Sequence, residues 1–368
     1  MANKTLTDGK NNKKDEFYTQ IADIENELKN YKKHFKDKVV FCNCDDPYES
    51  NFFKYFTMNF NQLGLKKLIA TGYATSPIIA KEVNVWTGEE TEVPVRTPYV
   101  AYINEVRDLN GDGRIDLEDV KILLKEKRNC RRKLKGETIY KDGKKIVYPA
   151  GDFRSSESIK LLMQSDIVVT NPPFSLFREY VAQLIKYNKK FVILGNPNSL
   201  TYKDIFPLIK SNQLWIGNKS MGTDMLFDVP ERYAKELVET KKEGSGYKIV
   251  NGVVKGRTQA IWFTNLDVQK RHENLDLYKE YSPEEYPKYD DYDAINVNKI
   301  CDIPCDYDGI MGVPITFLDK FNPDQFEIIG LDRYVDDNPH YGHRFKICNK
   351  ETYARILIRK RKSDGSGK

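Results

Sequence analysis

The chain has 368 residues, of which 40% are hydrophobic and 31% charged, enough apolar material for a sizeable core and more than one domain. Its 59 basic and 54 acidic residues leave a formal net charge of +5, which permits a polyanionic partner without requiring one. The polar start MANKTLTDGKNNKKDE excludes a signal peptide of ordinary type, and no run approaches the roughly 18 apolar residues of a membrane span. Six cysteines without zinc-finger spacing exclude a disulfide framework and read as buried reduced thiols in a cytoplasmic protein.

Residues 15–35, DEFYTQIADIENELKNYKKHF, open with an aromatic-Thr turn and continue with helical spacing through Ile21, Ile24 and Leu28. KVVFCNCDDP reads as a buried strand ending in two acids and a proline. ESNFFKYFTMNFNQLG is a helix starting near Ser50 or Asn51 and closed by Gly64. LKKLIATGY is a second strand, so the chain opens strand–helix–strand, as parallel α/β sheets do. From about 76 to 148 the composition turns to charges and turns, with a hairpin signal around Asp142-Gly143; this stretch reads as an insertion. The α/β rhythm resumes in GDFRSSESIKLLMQSDIVVTNPPF, helix then strand. A helix, SLFREYVAQLIKYNKK, and a strand, FVILGN, follow, and QLWIGN and TQAIWFTNL supply two more strand candidates. Beyond about 271 the chain is rich in Tyr, Asp and Pro and reads as a separate C-terminal domain.

The apolar run Ile167–Thr170 stops at Asn171 and is followed at once by Pro172, Pro173 and Phe174. In a doubly wound sheet, ligands bind outside the carboxyl ends of the strands, and Asn171 sits at such an end. Two prolines stiffen the backbone and remove two N–H donors, leaving carbonyl oxygens as the local polar groups. With the Asn171 amide oxygen they make a pair of acceptors suited to gripping an –NH2 group through both hydrogens. Phe174, just beyond, is placed to stack on a flat ring.

These residues resemble the Asn/Asp-Pro-Pro-Tyr/Phe tetrapeptide of the amino-methylating DNA methyltransferases, and more narrowly the EcoRI-type adenine-specific methyltransferases. The likeness continues in order along the chain. Phe17, Tyr18 and Thr19 are similar to an aromatic-Thr motif that touches the methionine end of S-adenosylmethionine. Asp46, Pro47, Asn51 and Phe52 are similar to that family's cofactor loop, with Asp45 beside them, although the loop is shortened and has no Gly-x-Gly. Asp152 and Phe153 resemble the segment that faces the cofactor's adenine, and Asn171 is a cofactor neighbour as well as the clamp. The acid that usually holds the cofactor ribose has no counterpart at the end of LKKLIATGY, where Thr71, Gly72 and Tyr73 stand.

The resemblance implies a Rossmann-like doubly wound methyltransferase core in two parts, 1–75 and 149–270. It also implies an inserted subdomain over 76–148 and a C-terminal target-recognition domain over 271–368. It further implies a monomer acting on double-stranded DNA in a restriction-modification setting, with the target base flipped out of the stack. The catalytic residues would be Asn171, Pro172, Pro173 and Phe174. Phosphate contacts would come from basic segments such as KEKRNCRRKLK (125–135) and the tail RILIRKRK (355–362). The same tetrapeptide serves other planar amines, so cytosine N4, RNA adenine and protein glutamine stay open as substrates.

A second motif, DLNGDGRIDLED at 108–119, fits a twelve-residue calcium loop. Asp108, Asn110, Asp112, Asp116 and Asp119 stand at ligand positions, the Arg114 carbonyl takes the seventh place, and Gly113 sits at the turn. It suggests a structural Ca2+. Together with the shortened glycine loop it also leaves open an inactive methyltransferase-like scaffold carrying a calcium-binding module.

Overall fold

The computed structural model of the chain describes residues 19–44, 50–72, 82–83, 90–91, 98–125, 132–229, 231–335 and 342–361. The chain divides into two compact units, Met1–Asn196 with Gly222–Leu266 and Pro197–Met221 with Asp267–Lys368.

In the first unit, β1 (Val39–Asn43), β2 (Lys67–Thr71), β3 (Tyr99–Ile103), β4 (Arg132–Lys133), β7 (Ile167–Thr170), β8 (Lys190–Gly195) and β12 (Ile261–Thr264) form one central sheet, β5 (Glu137–Lys141) and β6 (Lys144–Tyr148) lying apart from it. The order across the sheet is β12-β8-β7-β1-β2-β3-β4. The four inner strands, β8, β7, β1 and β2, run parallel. They are buried along almost their whole length, as strands covered on both faces must be, which explains their unbroken apolar runs. From β1 the chain passes through α2 (Asn51–Met58) to β2 on one side, whereas β7 pairs with β1 on the other. The direction of winding therefore reverses between β1 and β7, and the carboxyl ends at such a switch point are where doubly wound sheets bind ligands.

The local signals account for these elements. Helix α1 (Ile21–Leu28) buries Ile24 and Leu28. Ser50 caps α2 by accepting from the Phe52 and Phe53 amides, and Gly64 ends the following turn in the left-handed conformation, φ 62°. Helix α4 (Ser156–Met163) is capped by Ser155. Helix α5 (Phe177–Lys186) buries Phe177, Tyr180, Val181 and Leu184, the i, i+3, i+4, i+7 stripe of a helix packed on a sheet.

Part of the stretch read as an insertion extends the central sheet: β3 pairs antiparallel with β2, placing Tyr102 opposite Ile69 and Val100 opposite Thr71. Hairpin β5–β6 turns at Asp142 and Gly143, both at positive φ. Helix α3 (Leu117–Lys125) begins within the last three residues of the 108–119 segment.

A further sheet of the first unit comprises β9 (Met225–Asp228), β10 (Tyr247–Val250) and β11 (Val253–Thr258), in the order β9-β11-β10. Phe227 stands opposite Gly256, and its ring lies so close to that backbone that a Cβ at 256 would come within 2.3 Å of it. Only glycine leaves room for the ring there.

The second unit is built on a four-stranded sheet of β13 (Ile295–Asn296), β14 (Met311–Pro314), β15 (Phe326–Leu331) and β16 (Arg355–Lys360), in the order β13-β14-β16-β15. The basic tail is thus largely an interior strand. Ile356, Leu357 and Ile358 are wholly buried, and Arg355 donates to the side chains of Asn296 and Asn298. Arg359 pairs with Glu327. Its apolar Ile-Leu-Ile centre outweighed its charge. The cysteines divide: Cys42 is buried, but Cys301, Cys305 and Cys348 are exposed free thiols, which corrects the expectation of uniformly buried ones. Among the described residues no helix is long and apolar enough to cross a membrane.

Candidate active site

Strand β7 is wholly buried and ends where Pro172 and Pro173, lacking N–H groups, can no longer pair. Pro173 holds φ −56° and ψ 117°, and its carbonyl accepts from the Leu176 amide at 2.9 Å to close the short turn Phe174–Leu176. The turn leads directly into α5. Asn171 is 6% exposed, and Phe174 is partly exposed at the turn.

The Asn171 side-chain amide donates through Nδ2 to Thr19 Oγ1 at 3.4 Å. The Thr19 carbonyl in turn accepts from Asn51 Nδ2 at 2.9 Å. Three residues far apart in sequence, from the approach to α1, the start of α2 and the end of β7, thus form one hydrogen-bonded chain. Thr19 and Asn171 line a small pocket with Asp23, Met225, Phe227 and Thr258. Met225, Phe227 and Thr258 come from the β9-β11-β10 sheet, an element that the sequence reading did not assemble.

Beneath this pocket the ends of β1 and β7 are tied together. Asn43, 2% exposed, accepts through its side-chain oxygen from the Tyr180 hydroxyl and through its carbonyl from the Thr170 hydroxyl. The Phe153 ring stands edge-on to Tyr180, 5.0 Å between centroids. The neighbouring Asp152 carboxylate is wholly buried and is engaged by Arg154, which donates from its amide at 2.9 Å, Nε at 3.0 Å and Nη2 at 2.8 Å. The hydrogen bond that Arg154 donates to Asp152 is the main reason that its pKa is raised. Phe52 is a core ring, 2% exposed and edge-on to Trp262 at 5.8 Å. Phe17, Tyr18, Asp45, Asp46 and Pro47 lie outside the described residues.

The loop at 108–119 is closed by its own backbone. Asp108 accepts from the Gly111 and Gly113 amides, Asn110 from Asp112, Asp112 from Arg114, and Asp116 from Glu118. Asp119, wholly buried, accepts from Leu109 at 2.7 Å, Asn110 at 3.2 Å and Asp116 at 2.9 Å. These bonds, that from Asp116 first, hold its carboxyl below the usual range. Among the described residues no group of three or more His, Cys, Asp or Glu side chains is arranged to hold a metal ion. The calcium expectation finds no support: the carboxylates serve as turn and cap acceptors.

A doubly wound sheet with an Asn-Pro-Pro-Phe strand end beside its switch point agrees with what comparison with known proteins finds. The family model for the adenine-specific methyltransferase EcoRI matches residues 5–362. The chain belongs to the EcoRI adenine-specific methyltransferase family. It is 47% identical over 362 residues to the type II methyltransferase M.EcoRI of Escherichia coli, covering 98% of this chain and 97% of that protein. It is 35% identical to M.MgeORF184P of Mycoplasma genitalium and 36% identical to M.MpnI of Mycoplasma pneumoniae, each over 95% of this chain and 96% of the relative. No solved structure matches the chain.

A methyltransferase of this family implies S-adenosylmethionine as the methyl donor, and one buried polar atom at the strand ends suits a ligand of that kind. Thr71, at the carboxyl end of β2, is wholly buried, and its hydroxyl has no hydrogen-bond partner among the described residues. A buried polar atom of this kind is costly unless something polar comes to meet it. Thr71 stands where the family's ribose-binding acid is missing, so a hydroxyl-rich ligand suits the position.

Proposed function

We propose that this adenine-specific methyltransferase transfers the methyl group of S-adenosylmethionine to N6 of an adenine flipped out of a specific sequence in double-stranded DNA, and that it does so as a monomer. The reading rests above all on Asn171, buried at the end of β7 beside the switch point and held by Thr19 at the edge of a pocket.

Two acceptors, the Asn171 side-chain oxygen and the Pro172 carbonyl, would take the two hydrogens of the adenine amine. An amine on a heteroaromatic ring is a poor nucleophile because its lone pair is delocalised into the ring. Acceptors that draw both hydrogens away favour the geometry in which that pair points at an electrophile. Phe174 would stack on the flipped ring, helping to repay an unstacking cost of a few kcal/mol. The resemblance gives the cofactor contacts to Phe17, Tyr18, Thr19, Asp45, Asp46, Pro47, Asn51, Phe52, Asp152, Phe153 and Asn171. When bound, S-adenosylmethionine supplies an electrophilic methyl on a sulfonium. The residues of this chain hold the amine, orient the ring and exclude water.

Incubation with methyl-labelled S-adenosylmethionine and mixed-sequence duplex DNA, followed by digestion to nucleosides, tests the reading. Label in N6-methyladenine supports it. Label in N4-methylcytosine alone, or in no nucleoside, overturns it.

A further inference from the structure

The family resemblance gives Thr19 to the cofactor; the geometry gives its hydroxyl to Asn171. We propose that Thr19 is a positioning residue for the catalytic amide, taking up Asn171 Nδ2 so that the amide oxygen is the end presented to the target amine. The inference rests on the proposed reaction.

The two ends of an asparagine amide are nearly identical in shape but opposite in hydrogen bonding: Oδ1 accepts and Nδ2 donates. An adenine amine about to be methylated offers its two hydrogens, so only the oxygen can serve it. Turning Oδ1 toward the amine sends Nδ2 the other way, into a site where Asn171 is 6% exposed. A donor buried there without an acceptor would penalise the productive orientation. Thr19 Oγ1 accepts from Nδ2 at 3.4 Å, a long contact of the sort that tightens when a substrate closes the site. Thr19 is itself 9% exposed, and its carbonyl is fixed to the start of α2 by Asn51 Nδ2 at 2.9 Å. The hydroxyl is therefore held at a set place relative to the end of β7. Both residues line the same pocket.

In the reaction served, the N6 lone pair forms the new N–C bond as the methyl C–S bond breaks and its electron pair stays on sulfur. The N6 proton then leaves to water. Thr19 exchanges no atom in this sequence; it fixes which end of Asn171 faces the amine.

The test compares Thr19→Val, which keeps the shape and removes the hydroxyl, with Thr19→Ser, which keeps the hydroxyl. Single-turnover methylation of duplex DNA should slow roughly tenfold to a hundredfold in Thr19→Val, the cost of losing the hydrogen bond that orients the amide. Thr19→Ser should retain the rate within about threefold, because the acceptor remains. Because the resemblance also gives Thr19 to the cofactor, calorimetric affinity for S-adenosylmethionine is measured in both variants, and in Thr19→Val it should fall far less than the methylation rate. The ligand-free protein gives an independent readout. In NMR spectra the Asn171 side-chain amide protons should be protected from exchange in the wild type and Thr19→Ser, and lose that protection in Thr19→Val. An unchanged rate in Thr19→Val, or a rate loss matched by an equal loss of cofactor affinity, overturns the proposal. A wild-type protein that labels no adenine overturns the proposed reaction instead, whatever the amide protons show.

Discussion

Two segments of this chain carry acceptor side chains in patterns that suggest a ligand: the end of β7, and residues 108–119. Their hydrogen bonds differ in reach. Asn171 meets Thr19 across 152 residues of sequence, and the Tyr180–Asn43 and Thr170–Asn43 bonds beneath it span 137 and 127. In the 108–119 loop the bonds to the five acidic or amide side chains span only two to ten residues. A group that folding brings together from distant segments can be oriented from one side and offered to a pocket on the other. A loop whose acceptor side chains bond its own amides is using them to hold its own shape.

The sharpest test of this contrast is Asn171→Ala. If the strand end is the catalytic clamp, removing one of two acceptors should lower the methylation rate by about a thousandfold, the upper range for deleting one preorganised polar contact to a reacting group. Binding of S-adenosylmethionine, measured by calorimetry, should persist within a few fold. A variant that methylates at the wild-type rate would place the chemistry elsewhere.

Tyr180→Phe probes the tie below the clamp. It removes the donor to the buried Asn43 side chain and leaves an acceptor without that partner, which should cost about 1–3 kcal/mol in urea unfolding. Loss of methylation beyond the loss of stability would show that the β1–β7 tie also sets the geometry of the strand end. No change in either quantity would mean that the ends of β1 and β7 are held by the sheet alone.

How much of this was legible in advance follows the same division between local and distant contacts. The core strands, the Ser50 start of α2, the Gly64 stop of the turn after it and the Asp142-Gly143 hairpin rest on local signals, and all of them appear, although the one helix expected from Ser50 to Gly64 is broken at Asn59. The pairing of β3 with β2 had no local signature: Tyr99–Ile103 reads as a strand, but nothing in it names its partner. The β9-β11-β10 sheet did leave a mark, the Asn251-Gly252 turn of KIVNGVVKG, where both residues take positive φ. The sequence reading did not use it, and with it went Met225 and Phe227, which line the pocket. In the site, Asn171 was readable from the prolines behind it. Its link to Thr19 was not, since a hydrogen bond across 152 residues exists only once both strand and helix are in place.

On the other side of the comparison, Asp119 makes the loop's self-sufficiency measurable. Its folded pKa lies below the ordinary 3.8 because the amides of Asp116, Leu109 and Asn110 favour the charged form. A lowered folded value means that the stabilisation is complete above the unfolded pKa and is lost as pH falls through the folded one. Acid titration of thermal unfolding should therefore show a steeper fall below about pH 4 in the wild type than in Asp119→Asn, and the variant should be the less stable protein at neutral pH. Equal acid limbs would mean that Asp119 is not the acceptor that closes the loop.

The smallest effect should come from calcium itself. A site that bound the ion with a dissociation constant of about 10 μM would, at about 1 mM calcium, gain about 2.7 kcal/mol from mass action alone, a rise easily seen in thermal unfolding. With Asp108, Asn110, Asp112, Asp116 and Asp119 already accepting from the loop's own amides, the unfolding midpoint should not move on adding calcium or a chelator. An increase in calcium that Asp108→Asn abolishes would erase the distinction between the two segments. The 108–119 loop would then be a ligand site whose carboxylates keep capacity for a cation beyond their backbone bonds, and the reach of a hydrogen bond would no longer separate a binding residue from a structural one.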